Sequence, residues 1–63
     1  MSLRNVPAVE LTLGVTRVRH TQFDMEGVLV AGLEPPWWET VQVLFDGHVA
    51  SQAVHSDDVE VIR

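Results

Sequence analysis

Three carboxylates lie close together towards the end of this 63-residue chain, at Asp57, Asp58 and Glu60. Paired carboxylates can bind a hard cation or act as general acid and base. Because these three flank a polar turn, we interpret them as a solvated acidic surface. The sequence also lacks Ser-His-Asp spacing, a glycine-rich phosphate loop and a metal-binding motif. It therefore predicts no catalytic residue, no metal ligand and no cofactor.

Two adjacent tryptophans, Trp37 and Trp38, follow two prolines in a segment that must be a loop, since proline donates no ladder hydrogen bond. Neighbouring side chains on extended backbone diverge, so one tryptophan can cap the core while the other meets a partner. The alternative is that both close the end of the domain. Phe23, in a loop over residues 21–26, is either a plug over an open barrel end or a further partner contact.

Gln52 lies in the middle of an apolar run and is a second kind of candidate. It either faces solvent from a strand or faces a symmetry axis, where its amide would meet a ligand or its own copy. The three histidines, His20, His48 and His55, are far apart in sequence and lack ligand-like spacing. We expect them to be ordinary surface side chains.

The composition makes several classes of function less favourable. The formal net charge is −5, with four arginines and no lysine, which disfavours nucleic-acid binding even though Arg17 and Arg19 share a strand face. No apolar run approaches the ~20 residues that span a bilayer, and no signal peptide is visible. Without cysteine, neither disulfides nor thiolate zinc sites can form. We expect a cytoplasmic protein.

Alternation of apolar and polar residues over 40–45 predicts a strand with one buried face. Asp46-Gly47 then predicts a tight type I′ hairpin turn. A 3₁₀ turn over 55–58, with Ser56 as its cap, should precede the last strand. Residues 1–9 are expected to form a flexible arm, and residues 10–63 a single domain. The predicted strands cover 15–20, 27–33, 40–45, 48–54 and 59–62. The fold class is therefore all-β, a small five-stranded SH3-like barrel.

The alternation also predicts the core and the assembly. The expected core side chains are Val18, Val28, Val30, Val41, Val43, Phe45, Val49, Val59 and Val61. Segment 27–33 is apolar on both faces, and Leu44 is expected to be exposed, so a lone barrel would leave apolar area uncovered. At 46% hydrophobic residues, the composition fits a homo-oligomer held by strand faces or edges.

Residues 16–20 (Thr-Arg-Val-Arg-His), Phe23, Gly27-Val28 and residues 41–47 resemble the small Tudor-like SH3 module at the C-terminus of bacterial DNA-repair helicases. That family has a basic strand, a phenylalanine, a Gly-Val strand start and a "VxVxF" strand before a glycine turn. The resemblance covers most of residues 14–62. It implies a barrel that contacts a large protein partner, such as RNA polymerase.

Residues 14–19 and 51–62 are also similar to the plasmid-borne type II dihydrofolate reductases, which are short SH3-like chains that form a tetramer around one pore. Gln52 matches the glutamine of their "VQIY" strand, whereas Val54 replaces the tyrosine and His20 replaces the lysine. This resemblance implies a free-standing barrel that assembles through its strands.

The sequence thus favours a non-enzymatic protein-interaction module that self-associates, with Phe23, Trp37, Trp38 and Gln52 as its binding residues. The alternative is an oligomeric small-molecule-binding protein or enzyme of the reductase kind, with Gln52 at a symmetry axis. Nucleic-acid binding through Arg17 and Arg19 is the third hypothesis. A partner protein and further copies of the chain are the expected partners.

Overall fold

The structure, a computed structural model, describes residues 2–32 and 39–62. It is built from five strands and three short 3₁₀ turns, so the all-β prediction is confirmed. The strands are β1 (Arg17–His20), β2 (Glu26–Ala31), β3 (Thr40–Phe45), β4 (Gln52–His55) and β5 (Val59–Val61). The turns are Leu3–Asn5, Ala8–Glu10 and Ser56–Asp58, the last of which directly precedes β5 as expected.

All neighbouring strands are antiparallel, in the order β4-β3-β2-β1-β5. The outer side of β5 is bridged by Ser2, which pairs with Glu60. Within the described residues no strand pairs with the outer side of β4. The sheet is therefore open, and its closure into an SH3-like barrel remains a prediction.

The core lies on one face of this sheet, and most of the expected side chains are in it. Val18, Val41, Val43, Phe45, Val59 and Val61 are buried, as the alternation predicted. The structure adds five side chains to this core that the pattern did not single out. These are Leu3, Val6, Leu11, Leu29 and Val54.

The two faces of β2 are the reverse of the prediction. Gly27 and Leu29 face the core, whereas Val28 and Val30 are only half-buried. A strand that is apolar on both faces carries no alternation from which its inward face could be chosen. The pairing of Gly27 with Phe45 determines which face of β2 is turned inward, because residues that pair lie on the same face. Only glycine fits at position 27, since a Cβ there would overlap the Leu44 carbonyl oxygen and lie 2.7 Å from the Phe45 Cα.

The predicted tight hairpin between β3 and β4 is wrong. A type I′ turn needs positive φ at both central residues, but Gly47 alone has it there, at +85°. The His48 N–H donates to the Phe45 carbonyl at 3.0 Å, and the chain then leaves the ladder until Val43 pairs with Gln52. Val49, expected in the core, is consequently fully exposed.

This wider loop shifts the register of β4 by two residues relative to a tight hairpin. Because side chains alternate with a period of two, such a shift keeps the faces of the strand but changes which residue lies opposite which. In a tight hairpin Gln52 would lie opposite Val41. In the structure Val54 lies opposite Val41 instead, and Val54 is buried.

The 3₁₀ turn before β5 forms where predicted, but Ser56 does not cap it. His55 holds the cap position, and its Nδ1 accepts a hydrogen bond from the Asp57 N–H at 3.1 Å. The Ser56 side chain is fully buried, and its hydroxyl contacts no hydrogen-bond partner within the described residues.

The first ten residues contribute to the core. Leu3 and Val6 are fully buried, and the turn at Leu3–Asn5 lies against the turn at Ser56–Asp58 and against β5. Local periodicity cannot reveal this packing, because its partners lie more than 50 residues further along the chain. The division of the chain at residue 9 stays a prediction, but the residues before that point supply two core side chains.

Replacing Leu3 with alanine should lower the free energy of unfolding by about 2–5 kcal/mol, because it removes a fully buried side chain. Val9→Ala, at a side chain that is 90% exposed, should change it by less than about 0.5 kcal/mol. Urea unfolding of both variants measures the difference. Equal, small effects would mean that the first residues do not pack on the domain in solution.

Gly27→Ala should destabilise the domain by about 1–3 kcal/mol, because the added methyl group meets the main chain of β3, which cannot rotate away. The matched control is Gly47→Asn, where the space is open and asparagine tolerates positive φ. Thermal melting compares the two variants with the wild type. Any loss of stability in the control reflects the positive φ at position 47 alone, and a Gly27→Ala protein as stable as the wild type would contradict the close approach of β2 and β3.

Candidate functional site

An open groove runs along β4, on the side of the strand where no other strand of the described residues pairs. Its volume is about 340 Å³, and it separates β4 from the loop between β1 and β2. We call it the β4 groove. Its lining residues are His20, Phe23, Met25, Phe45, Gln52, Ala53, Val54, His55 and Asp58. They come from three stretches of sequence that only the sheet order brings together.

Aromatic rings form one side of the β4 groove. The His20 ring lies 4.8 Å from the Phe23 ring and 6.3 Å from the Phe45 ring, measured between centroids. The His48 ring meets Phe45 edge-on at 6.1 Å. Tilted and edge-on contacts at these distances are the favourable arrangements for rings. Phe45 is buried, but Phe23 remains 60% exposed and therefore presents apolar surface to solvent.

The loop that carries Phe23 is held by main-chain hydrogen bonds. The His20 N–H donates to the Met25 carbonyl, and the Met25 N–H donates to the Phe23 carbonyl, both at 2.8 Å. The Gln22 N–H donates to Nδ1 of His20 at 3.1 Å, so the neutral ring carries its proton on Nε2. The ring orientation of His20 and the position of Phe23 are thus fixed by the same short loop.

The opposite end of the groove is polar. The Asp58 carbonyl accepts hydrogen bonds from the N–H and the hydroxyl of Thr21, at 2.8 and 3.2 Å, which ties the 3₁₀ turn to the loop. Gln52 Nε2 lies 3.4 Å from Nδ1 of His48. Nδ1 of His55 lies 3.6 Å from the Asp57 carboxylate. The groove lining therefore carries the Gln52 amide, two imidazole rings and the Asp58 carboxylate.

Beside this groove, the main chain of β4 has N–H and C=O groups that pair with no strand in residues 2–32 and 39–62. The Ser56 N–H donates to the Glu39 carbonyl at 3.2 Å. This bond shows which residues of β4 have their main-chain groups directed towards β3. The main-chain N–H and C=O groups of successive strand residues point to opposite sides of the strand. Those of Val54 therefore point to β3, and those of Ala53 and His55 point away from β3. Those two residues form a free edge along the groove.

The two arginines of β1 are engaged elsewhere. Arg17 forms a two-pronged contact with Asp46, at 2.6 and 3.0 Å, and lies 3.8 Å from Glu26. Arg19 lies 3.5 Å from Glu60. The hydrogen bonds from Arg17 hold the pKa of Asp46 below its ordinary value, and the same bonds raise the pKa of Arg17.

The side chains described in this groove suit contact with another molecule. His55, Ser56 and Asp57 are consecutive, yet the Ser56 hydroxyl is buried and cannot act as a nucleophile. In residues 2–32 and 39–62, no group of three or more metal-ligating side chains lies close enough to hold an ion. The useful chemistry of the groove is an apolar wall, a polar rim and a strand edge.

The structure brings two of the sequence-predicted binding residues into one place. Phe23 and Gln52 both line the β4 groove. Trp37 and Trp38 lie outside the described residues. Sequence reasoning missed the clustering of the histidines: His20 and His55 line the groove, and His48 contacts two of its lining residues. Spacing gave no signal of this, since the sheet order alone brings them together.

No family model, curated protein or solved structure matches this chain. The resemblances to the helicase module and to the reductases therefore remain hypotheses that rest on the quoted residues. A helix with the length and apolar character needed to cross a bilayer is absent from the described part of the chain.

The pKa of Asp46 should rise when Arg17 is replaced by methionine, because its main hydrogen-bond donor is lost. Arg19→Met is the matched control, since Arg19 contacts Glu60 instead. Carboxyl carbon shifts followed by NMR between pH 2 and about 6 report the titration of Asp46. An unchanged pKa in Arg17→Met would mean that the pair does not persist in solution.

The lowered pKa of Asp46 also determines how the free energy of unfolding changes with pH. A carboxylate whose pKa is lower in the folded state stabilises that state above its unfolded pKa of about 4, and the effect is lost as the pH falls through the folded pKa. The stability of the wild type should therefore fall more than that of Arg17→Met as the solution is acidified below about pH 4.

Proposed function

We propose that this chain is a non-enzymatic protein-interaction module and that the β4 groove is its binding surface. The observation that carries the proposal is the free edge of Ala53 and His55 beside an apolar groove. An unpaired strand edge is a template for an extended peptide: main-chain hydrogen bonds supply affinity, and neighbouring pockets select side chains. The exposed Phe23 ring fits the same role.

Self-association is the second part of the proposal. Val15, 68% exposed, and Ile62, 39% exposed, line a second depression together with Thr16 and Arg17, away from the β4 groove. Exposed apolar side chains in one depression favour contact with another protein surface. We propose that copies of the chain meet there, which leaves the β4 groove accessible. The chain has no cysteine and needs no oxidising compartment, which is compatible with a cytoplasmic location.

The reductase-like alternative stays open because Gln52 is exposed at the sheet edge, where a symmetry axis could bring its copies together. Quenching of protein fluorescence by dihydrofolate or reduced nicotinamide cofactor would favour it. Nucleic-acid binding is less supported, since the contacts of Arg17 with Asp46 and of Arg19 with Glu60 occupy the two arginines of β1.

The binding surface can be tested with a random library of extended peptides displayed on phage and selected on the immobilised chain. Enriched peptides, added to ¹⁵N-labelled protein, should shift the amide resonances of residues 20–25 and 52–55. Shifts confined to the region of Val15 and Ile62, or no enrichment, would overturn the proposal.

Two variants test the role of the edge. Ala53→Pro removes an outward-facing N–H without removing a ladder bond, so enriched peptides should bind at least about tenfold more weakly. The control is Val49→Ala, at a fully exposed side chain outside the groove lining, which should bind as the wild type does. If Ala53→Pro fails to fold by thermal melting, Phe23→Ala takes its place, since its side chain is mostly exposed. Unchanged affinity in the folded variant counts against the proposal.

A further inference from the structure

The charge of the residues that line the β4 groove indicates which class of ligand it fits. Among the described residues its lining includes one carboxylate, Asp58, and no arginine, and the sequence contains no lysine. Asp57 is adjacent in the 3₁₀ turn, and Asp24 is adjacent to Phe23 in the facing loop. In the described part of the chain, acidic residues therefore adjoin the lining residues in sequence on two sides, and no arginine lines the groove.

The whole chain has the same negative sign of charge as the groove. The formal net charge is −5. The two β1 arginines offset little of it near the groove, because Arg17 contacts Asp46 and lines the other depression, and Arg19 contacts Glu60. Potentials of one sign in a cleft attract ligands of the opposite sign and repel those of the same sign.

The geometry then indicates where a positive side chain would lie. In a strand added to β4, residues opposite Gln52 and Val54 would point to the same face as those two side chains. Val54 is buried on the core face, so these residues would enter the groove over Phe23, Met25 and Phe45. A lysine or arginine can lay its apolar stem on such a wall while its charged end reaches a carboxylate at the rim.

We infer that the β4 groove binds an extended, basic segment of a partner protein, which adds to the edge of β4 and directs a lysine or arginine towards Asp58. The inference rests on the proposed function, because it assigns a chemical class to the occupant of the same surface. The apolar wall holds the stem of the basic side chain, Ala53 and His55 hold the main chain, and the acidic rim selects the charge.

Three fluorescein-labelled ten-residue peptides test the charge class. Each alternates valine with one other residue, which is lysine, glutamate or serine. Anisotropy titrations at low salt should show the lysine peptide binding at least about tenfold more tightly than the glutamate peptide. The difference should shrink in 0.5 M salt, because salt screens exposed charges.

Asp58→Asn and Glu10→Gln form a matched pair of variants. Each removes one negative charge, but Asp58 lines the β4 groove whereas Glu10 lines the other depression. Asp58→Asn should weaken binding of the lysine peptide by about threefold, the size expected for a partly exposed ion pair. Glu10→Gln should change it by less than about 1.5-fold. Equal effects of the two variants would mean that net charge alone acts, and would overturn the inference.

The remaining outcomes separate this inference from the function on which it rests. If the serine peptide binds as tightly as the lysine peptide and shifts residues 52–55, the charge class is wrong and the interaction module stands. If no peptide shifts those residues, the interaction surface itself is wrong. If the free chain sediments as a dimer that Ala53→Pro dissociates, a second copy occupies the edge and the basic partner is excluded from it.

Discussion

The close approach of β2 to β3 at Gly27 is the constraint on which the other features depend. With no side chain at this position, the main chains of the two strands meet, and the Phe45 ring turns into the core opposite the glycine. Among the described residues Phe45 is the largest fully buried side chain, and its ring also contacts His20 and His48. One residue thus belongs both to the packed interior and to the wall of the β4 groove. A change that displaces Phe45 would therefore alter both the core and the binding surface.

Parts of the fold could be predicted wherever the local pattern is unambiguous. β3 has the predicted bounds because polar and apolar residues alternate along it and Asp46-Gly47 ends it. The inward face of β2 could not be predicted, because both of its faces are apolar and the choice depends on contact with β3. The length of the β3–β4 loop, and with it the exposure of Val49, depends on a register that the turn residues alone do not set.

The sequence pointed to single residues of the candidate site, but it did not predict that they lie together. Phe23 and Gln52 were chosen for separate reasons, one as an exposed ring and the other as a polar residue in an apolar strand. Their presence in one groove follows from the strand order, which brings the β1–β2 loop opposite β4. Asp58 and His55 looked like parts of a solvated turn, and only the packing of that turn on Thr21 gives them a place at the rim. Trp37 and Trp38 lie outside the described residues, so the role predicted for them stays a prediction.

The pairing of early with late residues also constrains how the domain forms. β1 pairs with β5, and Ser2 pairs with Glu60, so the first part of the sheet is completed only by residues 59–61. Closing such long loops is slow, because chain entropy is lost before the contacts that offset it are made. During synthesis the β1–β2–β3 portion must leave the ribosome with one of its edges unpaired. A chain released before residue 59 would keep that edge exposed, as a substrate for chaperones and proteases.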